Sequence, residues 1–178
     1  MNYLQGPEAE RKLAKCLESL GYEESPNLTD GTYATQVPYT GVFGESTTMD
    51  LVFRPKSGEL VWVSSKYQKV SGSCDEKFYL AAHQFAKTEN IKNAIFVLSG
   101  PYFDPFYDVE WQSPDKKKGY PGRWKHKTQA TYDRAAKRVC FLREFLEEQS
   151  VDGMRFYFSF QRNFETTVIE NFSCGRNL

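Results

Sequence analysis

The sequence predicts an α/β protein with a central mixed β-sheet flanked by helices. Three observations lead there. Residues 49–98 read as strand, turn, strand, helix, strand, and a helix between strands is the mark of a crossover unit. An amphipathic helix precedes this run. At 178 residues, 40% of them hydrophobic and 16% aromatic, the chain can also bury a core without staples.

The first helix is expected from Pro7, a favoured first-turn residue, to Gly21. Ala9, Leu13, Cys16, Leu17 and Leu20 recur at helical spacing as its buried stripe. At about 100° per residue Glu10 lies beside that stripe, whereas Glu8 points to solvent. Residues 23–48 are polar and turn-rich, with a strand expected near Tyr33–Tyr39. Strands follow at Met49–Arg54 and Glu59–Lys69 around the turn Pro55-Lys56-Ser57-Gly58. A second helix is expected over Asp75–Lys87 with Phe78, Ala82 and Phe85 inward, then a buried strand over Asn93–Leu98.

Residues 99–127 show no regular pattern, yet they carry seven Tyr, Phe and Trp residues, which argues for a functional loop. The third helix is expected from an N-cap at Thr128 to Gln149. Its apolar face holds Tyr132, Ala135, Ala136, Val139, Leu142 and Leu146. Met154–Phe160 and Thr166–Phe172 read as a terminal strand pair. With no repeat or linker, residues 1–178 are expected to form one domain, with the aromatic loop and third helix at about 99–149.

Composition narrows the function. No apolar run is long enough to span a membrane. The N-terminus runs quickly into charged residues, unlike a secretory signal. The four cysteines are scattered without a CxxC pair, which fits reduced thiols in a cytoplasmic setting and argues against zinc. Only His83 and His126 are present, which argues against histidine-based metal chemistry. The 23 basic and 23 acidic residues cancel, but unevenly: Lys116 to Arg143 holds ten Lys/Arg against Asp133 alone. A net +9 segment on a −9 remainder fits the footprint of a polyanion binder, with a solvated helix face as the plainer alternative. Lys116, Lys117, Lys118, Arg123, Lys125 and Lys127 suit phosphate oxygens, and Arg134 and Arg138 extend the stripe along the third helix. Tyr120 and Trp124 would stack on bases, or else cover the core.

Asp50 opens one strand, and Lys66 lies inside the next with Ser64 and Gln68 on its face. Such a carboxylate and lysine can hold a divalent cation and orient a water beside a phosphate; a surface pair is the plainer alternative. The pieces GPEAE with Glu10, MDLVF with Asp50, SSKYQ with Lys66 and GSCDEKF opening a helix resemble the PD-(D/E)XK nuclease superfamily. That group includes restriction and homing endonucleases, and the resemblance covers about residues 6–98.

The resemblance implies a restriction-endonuclease-like core and a Mg²⁺-dependent endonuclease acting on DNA, expected double-stranded, with Mn²⁺ as a substitute ion. It implies Asp50 as the main metal ligand, Lys66 as general-base partner or transition-state cation, Gln68 on phosphate or water, and Glu10 as outer ligand or support. Cutting both strands would call for a homodimer. Ser64 departs from the pattern, since the position two before the lysine usually carries an acid. Three explanations follow: the acid has moved to Glu76 (Asp75 second), water and Glu10 compensate, or the site is dead. Ser73 and Glu76 also fit a plain helix-capping box. A DNA-binding protein without catalysis and an RNA-directed nuclease are the alternatives.

Overall fold

The computed structural model describes residues 5–56, 58–68, 76–88, 90–100, 102–103, 128–150 and 153–173, with the side chains of Gln5, Glu76 and Tyr132 left aside. Helix α1 spans Gln5–Ser19. Strands β1 (Glu23–Glu24), β2 (Thr32–Thr40), β3 (Ser46–Arg54) and β4 (Val61–Tyr67) follow. Helix α2 (Glu76–Phe85), β5 (Asn93–Ser99), α3 (Gln129–Glu148), β6 (Arg155–Phe160) and α4 (Phe164–Phe172) complete the order.

The six strands form one mixed sheet in the order β1-β2-β3-β4-β5-β6. Strand β3 runs antiparallel to both of its neighbours, β2 and β4, while β4, β5 and β6 are parallel. The parallel half follows from the crossovers, because α2 separates β4 from β5 and α3 separates β5 from β6. The expected α/β class with helices on a mixed sheet is therefore observed.

Alternation along β4 assigns the two faces. Val61 and Val63 join the core beneath α1 and α4, with Leu13, Leu17, Phe164 and Val168. Trp62 joins the opposite core beneath α2 and α3, with Phe78, Phe85, Val139 and Leu142. Helix α1 stops where expected: Gly21, at φ 86°, donates to Glu18 O and Tyr22 donates to Leu17 O, the paired bonds of a glycine-terminated helix. Thr128 caps α3 by accepting from Thr131 N–H at 3.3 Å.

One expected element is wrong. Thr166–Phe172 is not a strand; it belongs to helix α4. Its β-branched run favours a strand in isolation. Phe164, Thr167 and Val168, at helical spacing, are instead the residues it buries. Asn163 Oδ1 accepts from Phe160 N–H at 2.8 Å, tightening the turn that leads from β6 into the helix. Among the described residues, no helix is long and apolar enough to cross a membrane.

Candidate active site

The site forms where β3 parts from β4. Their ladder pairs Phe53 with Val61, Val52 with Trp62 and Leu51 with Val63, then stops. Strand β4 continues to pair with β5 as far as Tyr67 and Ser99. Beyond the last β3–β4 pair, Ser65 N–H donates to Asp50 Oδ2 at 2.6 Å. A side-chain carboxylate thus satisfies a backbone donor that the departing strand leaves behind. One oxygen of Asp50 is thereby fixed.

Lys66 and Ser64 share a face, as the alternation predicts. The Lys66 ammonium donates to Ser64 Oγ at 3.4 Å and lies 6.0 Å from the centre of the Phe78 ring. Ser64 is 4% exposed. The bond is long and therefore weak, so it directs the ammonium without neutralising it.

Glu10 arrives from α1, half-buried beside the Leu13 and Leu17 stripe. Burial raises its pKa above the usual carboxylate range, and the Asp50 charge raises it further; a Gln36 hydrogen bond and Lys66 pull it down. Asp50 is also raised, chiefly by burial, against Lys66 and the Ser65 N–H. Glu10, Asp50 and Lys66 therefore share one electrostatic neighbourhood. Two half-buried carboxylates that resist ionisation beside each other gain from a shared cation.

Gln36 is the residue that sequence reasoning missed. It lies on β2 at φ 50°, in the left-handed region, between the paired positions Thr35–Leu51 and Val37–Met49. Its place in the ladder is thus opposite Asp50. Its amide donates to Glu10 Oε2 at 2.8 Å and accepts from Thr48 Oγ1 at 3.4 Å. Left-handed backbone at a residue other than glycine costs on the order of 1–3 kcal/mol. No local signal marks a mid-strand glutamine for this conformation.

Gln68 is buried just past the end of β4, and its side-chain amide has no hydrogen-bond partner among the described residues. Its backbone donates to Ser99 O and accepts from Tyr102 N–H. Ser65 Oγ is likewise buried and unpartnered among the described residues. Buried polar atoms without protein partners call for a water or a ligand.

Glu76 opens α2, but its side chain lies outside the described residues, as does Asp75. Lys116, Lys117, Lys118, Arg123, Trp124, Lys125 and Lys127 lie outside them too. On α3, Arg134 is exposed and Arg138 half-buried. Glu59 pairs with Lys92 at 2.8 Å on the surface. Glu8 pairs with Lys12 on the exposed side of α1.

Among the described residues no three His, Cys, Asp or Glu side chains converge as a metal cage. Mg²⁺ does not require one, since it keeps several waters and needs one or two carboxylates plus a substrate phosphate. Asp50 and Glu10 fit that demand.

A family model described as PD-(D/E)XK nuclease superfamily domain matches residues 4–147. No curated protein matches the chain.

Proposed function

The chain belongs to the PD-(D/E)XK nuclease superfamily, and on that premise we propose that it is a Mg²⁺-dependent endonuclease hydrolysing DNA phosphodiester bonds. Nucleases of this superfamily act on nucleic acid and generally use divalent metals. The observation that carries the reading is the shared neighbourhood of Glu10, Asp50 and Lys66 at the gap between β3 and β4. A compact domain of this kind suits a restriction- or homing-type role, acting as a homodimer where both strands are cut.

A bound Mg²⁺ supplies Lewis acidity at the phosphate and eases deprotonation of a water. Asp50 and Glu10 would hold it. Asp50 offers a carboxylate already oriented by Ser65 N–H, so little ordering remains to be done on binding. Lys66 brings a positive charge to where negative charge grows on the phosphate oxygens, and it steadies the attacking water. The buried Gln68 amide is our candidate for a hydrogen bond to phosphate or water. Lys116, Lys117, Lys118, Arg123, Lys125 and Lys127, with Arg134 and Arg138, supply affinity along the DNA backbone, and Trp124 a stacking surface.

Ser64 favours a second reading, a DNA-binding protein without catalysis. It is buried, neutral and bonded to Lys66 where the family pattern has an acid. Supercoiled plasmid incubated with Mg²⁺ or Mn²⁺, beside Asp50→Ala, separates the two. Nicking by the wild type alone supports the nuclease; retained duplex binding with no cleavage in either metal supports the second reading. Cleavage of a single RNA strand in place of plasmid would make the enzyme RNA-directed.

A further inference from the structure

We propose that Gln36 is a positioning residue that aims Glu10 at the metal held with Asp50, an inference that rests on the nuclease reading above. Glu10 sits on α1, where only its own rotamers decide whether its carboxylate reaches the gap. Gln36 removes that freedom. Its nitrogen donates to Glu10 Oε2 at 2.8 Å, and its oxygen accepts a longer, weaker bond from Thr48 Oγ1 at 3.4 Å, so the exposed side chain is held at both ends. The result is a relay from β3 through β2 to α1, with both ends of the amide used.

The backbone supports the assignment. Gln36 adopts φ 50° in mid-strand, between the paired residues Thr35 and Val37, where extended backbone is the ordinary conformation. The left-handed turn breaks that ladder opposite Asp50 and delivers a long neutral donor to a carboxylate. Strain kept at such a place is the signature of a functional constraint. A donor with no charge also suits the task, since a lysine would compete with the cation for Glu10.

Gln36→Gly and Gln36→Ala test this by isothermal titration with Mn²⁺ and by thermal unfolding without metal. Glycine accepts the positive φ, so Gln36→Gly should unfold at the wild-type temperature or higher. Its Mn²⁺ affinity should nevertheless fall about 10- to 100-fold, the range seen when a ligand loses its orienting partner. In a Glu10→Gln background the same substitution should change affinity less than about two-fold, because both act through one carboxylate. Wild-type affinity in Gln36→Gly, or full additivity with Glu10→Gln, overturns the role of Gln36 while leaving the nuclease reading intact. A wild type that takes up no Mn²⁺ overturns both.

Discussion

Ser65 N–H donates to Asp50 Oδ2 at 2.6 Å, immediately after the Leu51–Val63 pair that ends the β3–β4 ladder. The bond ties the chemistry of the site to a topological event. Where two strands separate, backbone donors are exposed in a half-buried gap, and something must satisfy them. Here the Asp50 carboxylate does so, and the same bond holds it in place.

Asp50 and Lys66 should therefore fail in different ways. Asp50→Asn keeps an acceptor for Ser65 but loses the charge, so Mn²⁺ binding by titration and plasmid cleavage should vanish together. Lys66→Met keeps the stem beside Phe78. It should lose about 10²- to 10³-fold in cleavage rate, as when a transition-state donor is removed, while metal affinity holds or rises. Loss of metal binding in Lys66→Met would contradict the assigned roles.

Stability should depend on pH through the same carboxylates. Asp50 and Glu10 have raised pKa values, with burial the largest cause in each. The folded protein thus holds their protons more tightly than the unfolded chain. By linkage, their contribution to stability is fully present below the ordinary carboxylate pKa of about 4 and is lost as pH rises through the raised values. In EDTA at pH 7, Asp50→Asn should unfold at a higher temperature than the wild type. Differential scanning calorimetry should show the gap closing near pH 3.

Much of this site was legible because it obeys local rules. Alternation placed Lys66 and Ser64 on one face, and the angle around a helix set Glu10 beside the buried stripe and Glu8 in solvent. Gln36 obeys no such rule. Its bond to Glu10, 26 residues earlier, exists only once α1 has docked on the sheet. Helix α4 was misread for a related reason, since the intrinsic preference of Thr166 to Ile169 is extended. What decides the outcome is the core beneath α1, which Phe164 and Val168 enter together.

That core gives a direct check on α4. Phe164 is fully buried among Leu13, Leu17 and Leu51. Phe164→Ala should destabilise the fold by about 3–5 kcal/mol, the usual range for deleting a buried aromatic ring. Glu170→Ala, on the exposed side of the same helix, should stay within about 0.5 kcal/mol. Urea unfolding of the pair measures both, and the contrast is expected of a helix packed along one face.

Ser64 leads to the sharpest test of how the site is completed. If Glu10 supplies the second carboxylate, Glu10→Gln should weaken Mn²⁺ binding at least about ten-fold in the wild-type background. Ser64→Asp introduces an acid beside Lys66, at the position where the family pattern carries one. Once that acid is present Glu10 should become dispensable, so Glu10→Gln in a Ser64→Asp background should cost less than about three-fold. A dead site behaves otherwise: the wild type neither binds metal nor cuts, and Ser64→Asp alone confers both. An acid supplied by α2 gives a third pattern, in which Glu10→Gln is silent throughout and Glu76→Gln removes binding. Metal titration of these variants, each checked for helix content by circular dichroism, assigns the second carboxylate to one of three positions.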